Sequence, residues 1–228
     1  MIRFALTIGG IVQGVGFRPF LYREAIAHNL AGFVQNTGSG VYLEIEGARA
    51  DCEAFFAALE TNPPPLSQIL SIERRECPAT GENGFRILTS EGGERRALIS
   101  PDIALCDNCR RELFTPADRR YRYAFINCTD CGPRFSIIRD VPYDRVNTSM
   151  SGFVQCAPCQ GEYDDPTNRR FHAQPNACPV CGPALSFLVD GVAQDGDPVE
   201  LFQACIRTGK IGAVKGMGGY HLACDAAN

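Results

Sequence analysis

The chain has 228 residues, a formal charge of -4 and 12 cysteines. This length supplies one or two domains and at least one hydrophobic core of ordinary size. No apolar run approaches the roughly 18 residues of a membrane-spanning helix, and the N-terminus lacks the apolar core and cleavage site of a secretory signal. The expectation is a cytoplasmic protein with no membrane partner.

Taken in chain order, Arg3 to Gly9 alternates like a strand and runs into Gly10-Ile11-Val12-Gln13-Gly14-Val15-Gly16-Phe17-Arg18. Arg18-Pro19 opens a helix to about Leu30, with Pro19 in the first turn, where its missing N–H costs nothing. A strand, a glycine-rich turn and a helix start together make an anion cradle of converging N–H groups. The Arg18 guanidinium at its mouth can fork two hydrogen bonds onto phosphate oxygens. On their own these glycines also suit a plain tight turn.

Further along, Gly32–Thr37 reads as a strand, Gly38-Ser39-Gly40 as a hairpin turn and Val41–Glu46 as a third strand. Ala50–Glu60 reads as a helix stopped before Pro63-Pro64-Pro65, followed by strands at Ile69–Glu76 and Phe85–Leu88. The order βαββαβ plus a terminal strand predicts an α+β fold, a ferredoxin-like sandwich over residues 1–90.

Within it, Gly10-x-Val12-Gln13-Gly14-Val15-Gly16-Phe17-Arg18 and Gly32-Phe33-Val34-x-Asn36-x3-Gly40-Val41 resemble the acylphosphatases. The resemblance implies that Gln13, Gly14, Val15, Gly16, Phe17 and Arg18 bind the phosphate of an acyl phosphate. It also implies that Asn36 positions the attacking water, so that Arg18 and Asn36 are the catalytic pair. The chemistry suits such a site, because a substrate with a good leaving group needs mainly charge stabilisation and alignment. The alternative for Asn36 is a polar cap on the strand end.

Residues 91–104 are polar and glycine-rich at their start and read as a linker with a possible hinge. Next comes one pattern used twice. Cys106-x2-Cys109 and Cys128-x2-Cys131 recur fifty residues later as Cys156-x2-Cys159 and Cys178-x2-Cys181, together with Pro116/Pro166, Arg119-Arg120/Arg169-Arg170 and Gly132-Pro133/Gly182-Pro183. Two x2 pairs about eighteen residues apart have the spacing of a four-thiolate zinc site. The expectation is two structural zinc ions in two modules, 105–140 and 155–190. Duplication favours two self-contained sites, with interleaved pairing and a disulfide framework as the alternatives.

Two zinc ions on eight thiolates would take the charge to about -8. Between Pro101 and Asp190 there are ten arginines, no lysine and eleven acidic residues. No basic stripe emerges, which argues against a nucleic-acid partner; the arginines suit an outer role around the thiolates instead. Aromatics such as Tyr121, Tyr123 and Phe125 read first as packing around the ion. His172 stands where the other copy has Arg122, which weakens it as a ligand and ranks it low as a functional residue. Cys52, Cys77, Cys205 and Cys224 read as small core residues.

In the tail, 197–228, Pro198–Gly209 reads as an amphipathic helix and Lys210–Lys215 as a buried strand before the glycine-rich Gly216-Met217-Gly218-Gly219. This segment resembles a truncated start of a YrdC-like nucleotide-binding α/β domain, with Lys215 and His221 bordering the nucleotide pocket. The order acylphosphatase, two four-cysteine modules, YrdC-like start resembles the carbamoyltransferases of NiFe-hydrogenase maturation, the HypF family. That resemblance implies carbamoyl phosphate as substrate and ATP as cosubstrate of the full-length protein. It further implies a hydrogenase maturation partner carrying the acceptor cysteine for the cyanide-ligand precursor. A stand-alone acylphosphatase with zinc modules, or a non-enzymatic zinc-based interaction module, are the alternatives.

Overall fold

A computed structural model describes all residues, Met1–Asn228. Strand β1 (Ile2–Ile11), helix α1 (Phe17–Ala27), β2 (Ala31–Thr37), β3 (Gly40–Gly47), helix α2 (Arg49–Thr61), β4 (Gln68–Cys77) and the short β5 (Phe85–Ile87) follow in that order. They form a five-stranded sheet, β4-β1-β3-β2-β5, in which β2 and β5 run parallel and the other neighbours antiparallel. Period-two alternation turns Phe4, Leu6 and Ile8 of β1 and Val41, Leu43 and Ile45 of β3 to one side. There they meet Phe17, Leu21 and Ala25 of α1 and Cys52, Phe55 and Leu59 of α2 in one core. The predicted sandwich is therefore present, its helices on one face.

The β1 end away from the glycine loop carries a buried ion cluster. Arg3 donates to Glu44 at 2.6 Å and to Glu46 at 2.9 Å, and the N–H groups of Thr80 and Gly81 each donate to Glu46 at 2.8 Å. The Thr80 N–H, with Arg3 and the Gly81 N–H, holds the Glu46 carboxyl down at about 2, against burial that works the other way. A depressed carboxylate contributes stability that is present above its unfolded value near 4.5 and is lost as pH falls through the folded one. The melting temperature should therefore hold steady above about pH 5 and fall steeply from about pH 4.5 towards 2. Glu46→Gln should lower it at neutral pH and flatten that acid limb; parallel curves for both proteins would contradict the assignment.

The stretch expected to be a hinge is fastened down. Glu91 donates to the Asn36 carbonyl at 2.9 Å, Arg96 and Ala97 donate to the Gly38 carbonyl at 2.8 and 2.7 Å, and Ser100 is buried. Its polar backbone finds partners along the β2–β3 end of the sheet, so it continues the sandwich instead of swinging free.

Beyond it, helices α3 (Asp107–Phe114) and α4 (Ala157–Asp164) open the two cysteine modules at the fifty-residue offset. A second core joins the modules through Tyr123, Ile126, Ile137, Tyr143, Met150 and Ala177. The tail holds a small hairpin, β6 (Leu188–Val189) and β7 (Val192–Ala193), then helix α5 (Pro198–Arg207) and a second hairpin, β8 (Gly212–Lys215) with β9 (Tyr220–Ala223). The Asp197 side chain caps α5 by accepting from Val199 and Glu200.

The expected buried strand is corrected: β8 is short, and Ala213, Val214 and Lys215 are exposed. It pairs only with β9, so apolar side chains that would fill a two-sided layer stay in solvent. Of the four single cysteines, Cys52 lies in the core, whereas Cys77 and Cys205 are half-buried and Cys224 is exposed. No helix is long and apolar enough to cross a membrane.

Candidate functional site

The loop from β1 to α1 turns on two left-handed glycines, Gly14 and Gly16, both at φ 74°. A side chain at either position would strain this turn. Val15 and Phe17 are buried between and beside them, anchoring the loop to the core. The backbone N–H groups of Val15 and Gly16 find no acceptor within the chain, and those of Phe17 and Arg18 open helix α1. Unpaired donors beside a helix N-terminus suit a bound anion.

Gln13 serves this loop by bracing it. Its amide donates to the carbonyls of Thr37 at 2.8 Å and Gly40 at 2.7 Å, which ties the loop to the β2–β3 turn. Its carbonyl oxygen accepts from the N–H of Tyr143 at 2.8 Å. Arg18 and Asn36 are both buried in the same cleft. Arg18 donates to Ser90 Oγ at 3.3 Å and to Asp144 Oδ1 at 2.7 Å. Asn36 reaches the Tyr143 carbonyl at 3.5 Å through Nδ2, while its Oδ1 is buried without a partner.

Six of the fourteen residues lining the cleft come from outside the sandwich. Thr129, Arg134, Tyr143, His172 and Gln174 line it together with the glycine loop, Arg18 and Asn36. Arg134 bonds the Gly14 carbonyl through Nε and the Thr129 carbonyl through Nη2 at 2.9 Å. Gln174 accepts from the backbone N–H of Arg145 at 2.7 Å, which joins the Tyr143-Asp144 segment to the second module.

His172, ranked low from the repeat, stands in this wall. It adopts a left-handed turn at φ 54°, as Arg122 does at φ 59° in the first copy. The same backbone thus carries two side chains: Arg122 ion-pairs with Asp197 and Glu200 of the tail, and His172 faces the cleft. Burial, reinforced by nearby Arg18, pulls the His172 imidazole down to about 4, so it is uncharged at neutral pH. Sequence reasoning passed over Arg134, Tyr143, Asp144 and Gln174 altogether. One usable signal was divergence between the copies, where Arg122 to Ala124 gives way to His172 to Gln174.

The cysteines gather sequentially, Cys106, Cys109, Cys128 and Cys131 in one cluster and Cys156, Cys159, Cys178 and Cys181 in the other. None of the eight is joined in a disulfide, so the quartets do not form the alternative disulfide framework. Cys128 Sγ lies 3.7 Å from Cys106 Sγ and 3.9 Å from Cys131 Sγ, Cys178 Sγ lies 3.7 Å from both Cys156 and Cys181 Sγ, and Cys181 Sγ lies 3.6 Å from Cys159 Sγ, with all four sulfurs of each quartet within 4.8 Å of one another. A tetrahedron with Zn–S bonds of about 2.3 Å has edges of about 3.8 Å, so each quartet fits one zinc ion with its first shell filled.

The arginines around these clusters are exchanged between modules. Arg119, from the first module, donates to Cys159 Sγ at 2.9 Å, and Arg169, from the second, donates to Cys109 Sγ at 3.0 Å. Arg119 and Arg120 pair with Glu162, and Arg169 and Arg170 pair with Glu112. The copies therefore face each other about a pseudo-two-fold axis, each damping the charge of the other's thiolates. Arg169→Ala should weaken zinc retention at the Cys106 quartet by about tenfold or more, although the residue belongs to the other module. Competition with a chromophoric chelator would measure this; equal loss from both quartets would argue against the exchange.

Lys215 and His221 lie on the β8–β9 hairpin, His221 opposite Val214, with exposed side chains and Lys215 Nζ 5.3 Å from the Tyr220 ring. Neither lines the Arg18 cleft.

With this geometry in place, family comparisons agree with it segment by segment. The acylphosphatase family matches residues 4–87, and the HypF finger family matches 105–138 and 156–188. A Carbamoyltransferase HypF2 from Cupriavidus necator is 51% identical over 232 aligned residues, covering 100% of this chain. The chain belongs to the HypF carbamoyltransferase family. It spans 29% of that relative's length. The crystal structure of full-length HypF in the phosphate- and nucleotide-bound form superposes with a TM-score of 0.95 at 49% identity, over 100% of this chain and 30% of that one. The N-terminal part is also similar to shorter proteins named acylphosphatase. An acylphosphatase from Leuconostoc mesenteroides is 37% identical over 83 residues, 36% of this chain and 92% of its own length. The four-cysteine clusters and the α+β sheet are thus those of HypF structures.

Proposed function

We propose that this HypF-family chain cleaves carbamoyl phosphate at the cleft built on Arg18 and Asn36, as the first step of a carbamoyl transfer. The observation that carries the reading is the pairing of a buried guanidinium at a glycine anion loop with the unpartnered Oδ1 of Asn36 in one cleft. The phosphate seats on the N–H groups of the Gln13 to Phe17 loop and on Arg18. Asn36 Oδ1 accepts a hydrogen bond from a water and aims its oxygen at phosphorus. As the bond from that water oxygen to phosphorus forms, the bond from phosphorus to the carbamate oxygen breaks, the carbamate leaves with the electron pair, and both water protons end on the inorganic phosphate. Arg18 and the loop dipoles stabilise the charge spread over the phosphoryl oxygens.

In this reading the eight cysteines hold two structural zinc ions, which stiffen the modules that wall the cleft. The carbamate passes to an ATP-dependent step in the whole protein, with Lys215 and His221 bordering the nucleotide, and the carbamoyl group goes to a cysteine of a hydrogenase maturation partner in the cytoplasm. Support for the nucleotide step comes from the relative solved with phosphate and nucleotide bound. Zinc-loaded chain should release inorganic phosphate from carbamoyl phosphate, and Asn36→Ala should remove most of that release. A full rate in the variant would take Asn36 out of the mechanism.

A further inference from the structure

The wall contributed by the modules does more than close the cleft: it brings acceptors where the sandwich offers mainly donors. The loop N–H groups and Arg18 suit the phosphate end of an acyl phosphate. Tyr143 and His172 line the cleft beside Arg18, which also donates to the Tyr143 carbonyl at 3.4 Å, and the neighbouring Asp144 holds its carboxylate 2.7 Å from Arg18 Nη2. His172 spends neither ring nitrogen on a hydrogen bond within the chain, and its backbone is pinned by a bond from its N–H to the Tyr163 carbonyl at 3.0 Å. Being uncharged, the ring offers one nitrogen as an acceptor. A sandwich standing alone has no counterpart of these residues.

Acyl phosphates share the phosphate and differ in the substituent on the acyl carbon. A carbamoyl group presents an NH2 with two donors and no charge, whereas an acetyl group presents a methyl. Resting on the carbamoyl phosphate reading above, we infer that Asp144, with His172 beside it, is the acceptor set that reads the carbamoyl NH2. Selectivity among acyl phosphates is then supplied by the second zinc module and the segment that joins the two modules, and not by the acylphosphatase fold. Because Arg18 holds Asp144 while also facing the phosphate seat, one guanidinium fixes the distance between the two ends of the substrate. A methyl in the same position leaves a largely buried carboxylate with a water lost and nothing gained, the situation in which polar sites discriminate most strongly.

The test compares kcat/KM for carbamoyl phosphate and acetyl phosphate in zinc-loaded chain, in Asp144→Ala and in His172→Asn, the latter chosen because asparagine tolerates the left-handed turn. Inhibition by inorganic phosphate reports on the phosphate seat. The carbamoyl-to-acetyl ratio should fall at least tenfold in Asp144→Ala and by a smaller factor in His172→Asn, the loss falling on carbamoyl phosphate. Equal proportional losses on both substrates, or an unchanged ratio, would overturn the inference while leaving Arg18 and Asn36 in their roles. Should Asp144→Ala lose zinc or phosphate inhibition, the ratio in His172→Asn decides. If instead Arg18→Ala leaves phosphate release intact, Arg18 is out of the reaction and the assignment of the chemistry to this cleft fails.

Discussion

Arg18→Ala should lower phosphate release from carbamoyl phosphate by about 100- to 1,000-fold, the usual cost of deleting a charge-stabilising donor in a closed site. Arg18 is buried, sits in the first turn of α1 and donates to Ser90 Oγ and Asp144 Oδ1, so its guanidinium is already oriented before substrate arrives. Preorganisation of this kind is what makes the group valuable when charge shifts over the phosphoryl oxygens. Arg18→Lys keeps the charge but loses the planar fork, and should recover only a small part of the rate. The variants are followed by phosphate release at saturating and limiting substrate. A rate within tenfold of the parent in Arg18→Ala would remove the residue from the reaction.

Arg120→Ala should destabilise the paired modules by about 3 kcal/mol or more, because one side chain there satisfies several buried groups. Arg120 donates to the Ala177 carbonyl at 2.8 Å, to Asn176 Oδ1 at 3.0 Å, to Glu162 and, more weakly, to Cys159 Sγ at 3.5 Å. Truncation leaves these acceptors without their donor and leaves Glu162 with Arg119 alone. In a zinc module with a small core, a loss of that size should show as earlier unfolding and faster zinc release from the Cys156 quartet. Denaturant titration followed by tyrosine signal and zinc release would measure both. The sandwich keeps its own core, so its transition should move little; a single shared transition displaced as one unit would show that sandwich and modules unfold together.

The pseudo-two-fold arrangement also explains why the duplication does not give two copies of one surface. The axis exchanges Arg119 with Arg169 and Glu112 with Glu162, and those positions are the same in both copies. Away from the axis the copies meet different neighbours, the acylphosphatase cleft for His172 and Gln174, the tail helix for Arg122. Divergence at 122–124 against 172–174 follows from that difference in surroundings.

Local patterns carried much of the molecule by themselves. Alternation, the glycine loop and the proline and glycine stops outlined the sandwich, and the x2 pairs at fixed spacing marked the metal quartets, since each of these features is written within a few residues. Arg18 and Asn36 stand out in the sequence for the same reason, each lying inside a short motif, and the fold brings both into one cleft. Tertiary structure alone decided which pairs share a quartet, that β8 is exposed, and that Arg134, Tyr143, Asp144, His172 and Gln174 close over Arg18. The Arg18–Asp144 contact joins residues 126 apart, and the arginine exchange depends on how two folded copies face each other. No periodicity encodes such contacts: they arise from where packed modules come to rest, and the acceptor end of the cleft exists only once they have done so.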